Sequence, residues 1–107
     1  MKILLICTHG ASTSMLVKKM QDEARKQKID VTIAASGMYD AKSELDKWDV
    51  ILLGPQVKHL IKQVKMLCKD TPNKPIDVIS PILYGRIDGK GTLELAINLY
   101  NKETEKK

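Results

Sequence analysis

Short apolar runs alternate along this chain with longer segments in which apolar residues recur every three or four positions. The runs are typical of β-strands and cover residues 2–7, 31–35, 49–53 and 76–79. After their first residue, the first and third runs are continuously apolar rather than alternating, as expected of strands that are buried on both faces of a parallel sheet. The pattern therefore predicts parallel strands joined by helices.

Amphipathic segments fill the gaps between the predicted strands. Residues 13–28 and 55–69 each place an apolar stripe opposite a charged face, which is the pattern of a helix packed on a sheet. A final helix follows Asp88 or Thr92, either of which suits its N-cap. Between the second and third strands we expect a loop with a short helix over residues 41–45.

The alternation of strands and helices predicts the architecture. Right-handed crossovers place helices on both faces of a parallel sheet, which gives a three-layer α/β sandwich. We predict a four-stranded parallel sheet with the strand order 2-1-3-4. Ligands of such sheets bind beyond the carboxyl ends of the strands, where the strand order reverses. Here that point is the end of the first strand, where Cys7 lies.

Length and composition limit the class of protein. The 107 residues suit one domain, which we place at residues 1–103, followed by a charged tail at residues 104–107. Hydrophobic residues make up 43% and charged residues 29%, which excludes a wholly disordered chain. The longest apolar run, residues 3–7, is far shorter than the roughly 20 residues of a membrane-spanning helix and too short for a secretory signal. We therefore expect a cytoplasmic protein.

The charge and the cysteine content limit the kinds of partner and of bound group that are expected. The net charge of +5 permits nucleic-acid contact, but the lysines are scattered without interleaved aromatic residues, so no nucleic-acid partner is expected. Cys7 and Cys68 are too few for a disulfide framework, and a reducing compartment argues against their pairing. Cys68 falls on the apolar stripe of its predicted helix and is therefore expected in the core. His9 and His59 lack metal-ligand spacing with these cysteines, so neither a metal nor another cofactor is expected.

The loop that follows the first strand carries the candidate chemistry. Its residues are Cys7, Thr8, His9, Gly10, Ala11, Ser12, Thr13 and Ser14. Gly10 permits a tight turn with positive φ, and the N–H groups of the loop and of the following helix suit an anion-binding concavity. Thr13 or Ser14 is placed to cap that helix, and the hydroxyls of residues 12–14 add hydrogen-bond donors.

Cys7 opens this loop and is the candidate nucleophile. A thiol at a helix N-terminus can titrate at roughly 3.5–7.5 instead of near 8.5, because the helix stabilises the thiolate. The same N–H groups would hold the oxygens of a phosphoryl group on the sulfur. The alternative is a small buried hydrophobic residue at a strand end. The composition of the loop and its position at the point of strand reversal favour the reactive site.

The loop partly resembles that of the low-molecular-weight tyrosine phosphatases, in which an arginine follows the cysteine six positions later. Thr13 stands in place of this arginine, which clamps the transferred phosphoryl group. No aspartate precedes a proline, so the general acid of these phosphatases is missing as well. A site with the nucleophile but neither clamp nor acid would form phosphocysteine and hydrolyse it slowly, as a carrier does.

The cysteine loop is one of several segments that match a known family. These segments are the first strand through Cys7, Gly10, residues 12–17, 49–56 and 72–75, Ile79, and residues 83–85 and 88–89. Together they resemble enzyme IIB of the phosphoenolpyruvate-dependent sugar phosphotransferase system, in the lactose/cellobiose (chitobiose) class. The resemblance implies a relay through Cys7, which accepts a phosphoryl group from phosphohistidine of enzyme IIA. Phosphocysteine then donates it to a β-linked disaccharide of the cellobiose, chitobiose or lactose type, held by the membrane enzyme IIC.

The resemblance also implies where the partners and the phosphoryl group bind. Residues 8–14 form the phosphate cradle, and the protein meets the inner face of the membrane through enzyme IIC. Met15 offers an adaptable apolar contact for enzyme IIA. Residues 54–56 mainly form a tight turn after the third strand, at the edge that holds the cysteine, where Gln56 is also a candidate to face the cradle or to dock a partner. Tyr84 is either an exposed docking residue or a core residue. A monomer is the expected state for such a transient relay.

Other interpretations remain open at this point. His9 either stabilises the thiolate or the phosphate as an imidazolium, or it faces solvent or belongs to the docking surface. A cysteine phosphatase or arsenate reductase would share the cysteine loop, and turnover of an aryl phosphate would indicate it. A receiver-like signalling module would need an acidic cluster at the strand ends, where residues 53–55 supply no carboxylate.

Overall fold

A computed structural model describes residues 1–8, 11–71 and 73–105, and these form a parallel sheet flanked by helices. The strands are β1 (Lys2–Ile6), β2 (Thr32–Ser36), β3 (Val50–Leu53) and β4 (Ile76–Val78). The helices are α1 (Ala11–Lys26), α2 (Met38–Ala41), α3 (Ile61–Leu67), α4 (Pro81–Gly85) and α5 (Gly89–Glu105), with short 3-10 helices at Leu45–Lys47 and Pro55–Leu60. None of the helices in these ranges is long and apolar enough to cross a membrane.

Within the described residues, the sheet has four parallel strands in the order β2-β1-β3-β4, as predicted. β1 lies between β2 and β3, so that Ile3 is paired with Ile33 on one side and with Val50 on the other. After β1 the chain forms β2 on one side of β1, and after β2 it crosses β1 to form β3 on the other side. The strand order therefore reverses at the carboxyl end of β1, where parallel sheets bind their ligands.

Both faces of the sheet are buried, which explains why the first and third strands are continuously apolar. Ile3 and Leu5 belong to a core cluster with residues of α1 and α5. Leu4 and Ile6 belong to a second cluster with residues of α2 and α3. Because successive strand residues point to opposite faces, every position of β1 after the first needs an apolar side chain. The predicted three-layer sandwich is confirmed.

The segment predicted as one helix over residues 55–69 is divided in two. Its first part, Pro55–Leu60, is a 3-10 helix in which Val57 departs from helical geometry (φ −116°, ψ 23°), and the regular helix α3 follows it. The Val57 N–H donates a hydrogen bond of 3.0 Å to the Gly54 carbonyl, which forms a tight turn directly after β3. Apolar periodicity does not distinguish such a turn from the first turn of an α-helix.

The shorter helices also differ from the prediction. The helix expected over residues 41–45 is replaced by α2, which ends at Ala41, and by the 3-10 helix that begins at Leu45. Helix α4 has no counterpart among the predicted elements, because its five residues are too few to show a period. Ser80 caps α4, and Ser80 Oγ accepts a hydrogen bond of 3.1 Å from the Leu83 N–H.

The start of α5 follows the capping prediction for Asp88 but not for Thr92. Asp88 Oδ1 accepts a hydrogen bond of 2.8 Å from the Gly91 N–H, whereas Thr92 lies inside the helix and is buried. A Cβ on Gly89 would lie 2.5 Å from the carbonyl carbon of Lys19 in α1. Glycine at this position therefore allows α1 and α5 to approach each other closely.

Candidate functional site

The carboxyl ends of three strands meet around Cys7. The Cys7 N–H donates a hydrogen bond of 3.1 Å to the carbonyl of Ser36, at the end of β2. The N–H of Gly54, directly after β3, donates a hydrogen bond of 2.8 Å to the Ile6 carbonyl. Cys7 therefore lies at the point of strand reversal, as predicted from the sequence.

Cys7 borders an open cleft of about 320 Å³. The cleft is lined by Cys7, Thr13, Ser14, Ala35, Ser36, Gly37 and Asp40. Because Cys7 is 6% exposed, most of the residue packs in the protein while a small part reaches the cleft. The two interpretations offered for Cys7, a buried hydrophobic residue and a reactive thiol, are therefore compatible in one residue.

Larger clefts lie elsewhere on the molecule. One of about 420 Å³ lies between α1 and the start of α5, and one of about 600 Å³ lies beside the end of α3. The first is lined largely by charged side chains and the second by an equal mixture of charged and uncharged ones, and Cys7 borders neither of them. Volume alone therefore does not locate the chemistry. The smaller cleft is the candidate site because it lies at the carboxyl ends of the strands, where parallel sheets bind their ligands, and is bordered by the candidate nucleophile Cys7.

The first turn of α1 forms one wall of the cleft. Because α1 begins at Ala11, the N–H groups of residues 11–13 have no carbonyl partner four residues earlier within the helix. The helix dipole adds partial positive charge at the same end. Thr13 and Ser14 lie inside this turn, so the prediction that one of them caps the helix is wrong. Both residues instead line the cleft.

Tyr84 packs beside the cleft instead of forming a docking surface. It is 8% exposed, and its hydroxyl oxygen lies 2.6 Å from Thr13 Oγ1 in a buried hydrogen bond. Its ring borders the end of β3, because a Cβ on Gly54 would lie 3.8 Å from Tyr84 Cε1. This burial contradicts the exposed docking role expected for Tyr84 and agrees with the core alternative.

Part of the predicted phosphate cradle lies outside the described structure. Thr8 is exposed. His9 and Gly10 lie outside the described residues, as do the side chains of Ala11 and Ser12. The roles proposed for these four residues from the sequence stay predictions.

Exposed residues lie at the same edge of the sheet as the cleft. Met15, which follows the cleft residue Ser14, is 49% exposed. Gln56 is exposed just after β3, and its Oε1 would lie 2.7 Å from a Cβ on Gly54. Ile82, in the first turn of α4, is also exposed. The docking roles predicted for Met15 and Gln56 therefore agree with their exposure, and they stay predictions.

The second wall of the cleft was not identified from the sequence. Ser36 ends β2, Gly37 follows it, and Asp40 lies in α2. The predicted strand order contained the necessary signal, because a second strand beside the first brings its carboxyl end next to Cys7. Asp40 brings an exposed carboxylate to the cleft. Among the described residues that line the cleft, none is an arginine or a lysine.

Cys68 belongs to the core and also borders the cleft of about 600 Å³ beside the end of α3. It is buried in the second core cluster, as predicted. Burial raises the pKa of the Cys68 thiol, and the charge of Lys74 opposes this shift while that of Asp46 adds to it. A raised pKa keeps the thiol protonated and unreactive at neutral pH. Across residues 1–8, 11–71 and 73–105, no group of three or more histidine, cysteine or acidic residues is arranged to hold a metal ion.

The fold and the position of the cysteine define a class of protein. A parallel sheet of order 2-1-3-4 with helices on both faces is the architecture of the low-molecular-weight tyrosine phosphatases and of the IIB domains of sugar phosphotransferase systems. The sequence decides between them. The chain belongs to the family of lactose/cellobiose-specific IIB subunits of the phosphotransferase system (PTS), which it matches over residues 2–95. It is therefore a sugar-specific phosphocarrier of PTS sugar transport.

Individual relatives support the assignment of the chain to this family. The oligo-beta-mannoside-specific EIIB component of Bacillus subtilis (strain 168) is 39% identical over 98 residues, which cover 92% of this chain and 94% of the relative. A cellobiose-specific IIB component from Borrelia burgdorferi has a TM-score of 0.79 at 38% identity, with 96% of this chain and 94% of that chain covered.

A third relative is similar mainly in fold. The lactose-specific IIB domain from Streptococcus pneumoniae has a TM-score of 0.83 at 17% identity, with 94% of this chain and 97% of that chain covered. The names of the three relatives refer to different sugars. Membership of the family therefore does not determine which sugar is transported.

Proposed function

We propose that this protein carries a phosphoryl group on Cys7, between phosphohistidine of enzyme IIA and a sugar bound by the membrane enzyme IIC. The observation that carries this proposal is the position of Cys7 at the end of β1, beside a cleft whose wall is the first turn of α1. Unpaired N–H groups at a helix N-terminus favour anions. The same place therefore suits both a thiolate and the phosphoryl group that it receives.

In the first transfer, the thiolate of Cys7 attacks the phosphorus of phosphohistidine on enzyme IIA. The S–P bond forms as the P–N bond breaks, and the imidazole leaves with the electron pair and takes up a proton from solvent. The hydroxyls of Thr13 and Ser14, which line the cleft, donate hydrogen bonds to the phosphoryl oxygens. Catalysis of such a transfer consists mainly of in-line positioning and stabilisation of charge.

In the second transfer, a hydroxyl oxygen of the sugar attacks the phosphorus on Cys7. The O–P bond forms as the S–P bond breaks, and the sulfur leaves with the electron pair as a thiolate. The proton of the sugar hydroxyl passes to a base in the enzyme IIC site or to solvent. Because the helix N-terminus stabilises the departing thiolate, the step returns Cys7 to its starting state.

The lining of the cleft favours a carrier over a phosphatase. Thr13 stands where a phosphatase has its arginine, and no cation is found among the described lining residues. Asp40 is exposed, so it lacks the burial by which enzymes tune a carboxylic acid into a general acid. Phosphocysteine in this cleft should therefore be hydrolysed slowly and should persist until an acceptor docks.

The surroundings of the cleft support a shared docking surface. Both partners must reach Cys7, so we infer that enzyme IIA and enzyme IIC use the same edge of the sheet in turn. The exposed residues Met15, Gln56 and Ile82 lie at this edge. The protein would then act at the inner face of the membrane, as a cytoplasmic monomer whose single domain spans residues 1–103. We place its sugar among the β-linked disaccharides, with the choice made by enzyme IIC.

Incubation with phosphorylated enzyme IIA tests the proposal. Wild-type protein should be labelled, and blocking its accessible thiol with N-ethylmaleimide beforehand should prevent labelling. Cys7→Ser should abolish labelling, because a serine hydroxyl does not ionise to replace the thiolate. Cys68→Ala is the matched control and should be labelled like the wild type, since Cys68 is buried away from the cleft. Undiminished labelling of Cys7→Ser would reject the site.

A further inference from the structure

A buried pair of hydroxyls joins the cleft to the core. Thr13 is 3% exposed, and its Oγ1 lies 2.6 Å from the hydroxyl oxygen of Tyr84, which is 71 positions away in the chain. Thr13 lines the cleft together with Cys7. Tyr84 lies in α4, outside that lining. The hydrogen bond therefore connects a wall of the site to an element that does not touch the cleft.

The position of the Tyr84 hydroxyl is set by packing and by backbone hydrogen bonds. The Tyr84 N–H donates a hydrogen bond of 3.0 Å to the Ser80 carbonyl, and the Ile79 N–H, directly after β4, donates one of 2.8 Å to the Leu53 carbonyl. The ring borders Gly54 at the end of β3. Helix α4 is thus attached to the sheet, and the phenol ring lies between the end of β3 and the first turn of α1.

The chemistry of the two hydroxyls suggests the direction of their hydrogen bond. Each hydroxyl has one proton to donate, and one of the two must accept. A phenol is a stronger acid than an aliphatic alcohol, so Tyr84 is the better donor and Thr13 Oγ1 the better acceptor. With Tyr84 as donor, the proton of the Thr13 hydroxyl is left for a second acceptor. Hydrogen bonds in such a chain polarise one another, which strengthens the terminal donor.

We propose that Tyr84 is a positioning residue for phosphoryl transfer: its phenol donates to Thr13 Oγ1, and the Thr13 hydroxyl proton is thereby directed into the cleft, toward the Cys7 sulfur and then toward the phosphoryl group. This inference rests on the proposed function of Cys7. It gives α4 a role at a site that α4 does not line. In this role Tyr84 aligns the Thr13 hydroxyl as a hydrogen-bond donor and does not contact a partner protein.

Single-hydroxyl variants test this inference. Tyr84→Phe keeps the ring and removes only the hydroxyl, and Tyr100→Phe makes the same change in α5, at the opposite edge of the sheet beside Trp48 and Asp49. We expect Tyr84→Phe to lower kcat for phosphoryl transfer from enzyme IIA about tenfold, the effect of losing one hydrogen bond. The KM for enzyme IIA should stay within about twofold, and the ³¹P resonance of phosphocysteine should shift. Tyr100→Phe should change none of these.

Variants of Thr13 complete the test. Thr13→Val should lower kcat as Tyr84→Phe does, whereas Thr13→Ser should retain the wild-type kcat. The double variant Thr13→Val/Tyr84→Phe should be no more than about twofold slower than Thr13→Val, because the two changes break the same chain of hydrogen bonds. If circular dichroism shows that Tyr84→Phe does not fold, the inference is tested by comparing kcat of Thr13→Val with kcat of Thr13→Ser. Equal rates in those two variants would overturn the inference.

Failure of this inference and failure of the proposed function give different results. A wild-type protein that accepts no phosphoryl group from enzyme IIA would contradict both. A labelled wild type with unchanged kcat in Tyr84→Phe would contradict the positioning role alone. A raised KM with unchanged kcat would also contradict it, because that result would indicate contact with enzyme IIA instead of alignment of a donor.

Discussion

At the scale of single residues, the two cysteines differ in their surroundings and not in their exposure. Cys7 and Cys68 are almost equally buried, at 6% and 5% exposed. Cys7 borders the cleft beside the first turn of α1, whose unpaired N–H groups favour anions. Cys68 packs in the second core cluster, where burial raises the pKa of its thiol. Exposure alone would not have distinguished them.

The raised pKa of Cys68 predicts a loss of stability at alkaline pH. Its folded-state pKa lies above the ordinary value of 9.0, so the unfolded chain loses this proton at a lower pH than the folded chain. The stabilisation is therefore fully present below pH 9.0 and is lost as the pH rises toward the raised folded pKa. Urea unfolding of the reduced protein between about pH 7 and pH 10 measures this.

Cys68→Ala provides the comparison for that measurement. The variant lacks the thiol but keeps Lys74 and Asp46, whose charges act on Cys68, and it keeps all other groups that titrate at alkaline pH. The free energy of unfolding of the wild type should fall more steeply with pH than that of the variant. Parallel pH profiles would show that Cys68 has the same pKa in the folded and unfolded chains.

At the scale of elements, the helices differ in how well the sequence predicts them. The pattern of 13–28 predicts α1 to within about two residues at each end, because the apolar residues Leu16, Met20 and Ala24 recur every four positions and pack in the core. Helix α4 shows no such period in five residues, and it depends on Ser80 as a cap and on attachment to β4. The 3-10 helix Pro55–Leu60 keeps an apolar stripe although it is not an α-helix.

The close approach of α1 and α5 gives a prediction at this scale. Gly89→Ala would place a Cβ 2.5 Å from the carbonyl carbon of Lys19, and the backbone there is able to yield only if the two helices move apart. We expect a loss of about 1–3 kcal/mol in the free energy of unfolding, as for other overpacked sites. Chemical denaturation measures it directly.

Gly85→Ala is the matched control for Gly89→Ala. A Cβ on Gly85 would meet nothing within 4 Å, so the substitution should be neutral or slightly stabilising, by up to about 1 kcal/mol through the lower entropy of the unfolded chain. Equal stability of the two variants would show that the contact between α1 and α5 does not constrain Gly89.

At the scale of the whole molecule, the site is assembled from parts that are distant in sequence. The position of Cys7 at the point of strand reversal was predictable from the strand pattern. Its reactivity, inferred from the small, hydroxyl-rich loop that follows the strand, stays a prediction. The wall formed by Ser36 and Asp40 depends on the pairing of β2 with β1. The burial of Tyr84 against Thr13 depends on where α4 docks. Sequence patterns describe local faces of elements, so contacts made by docking had to come from the structure.

The central claim is that the phosphoryl group resides on the sulfur of Cys7. The most direct measurement is mass spectrometry of the intact wild-type protein after incubation with phosphorylated enzyme IIA, followed by fragmentation to locate the group and by acid treatment to identify the bond. We predict one acid-resistant phosphoryl group on Cys7. An acid-labile group on His9 or His59, or an unmodified protein, would contradict the account.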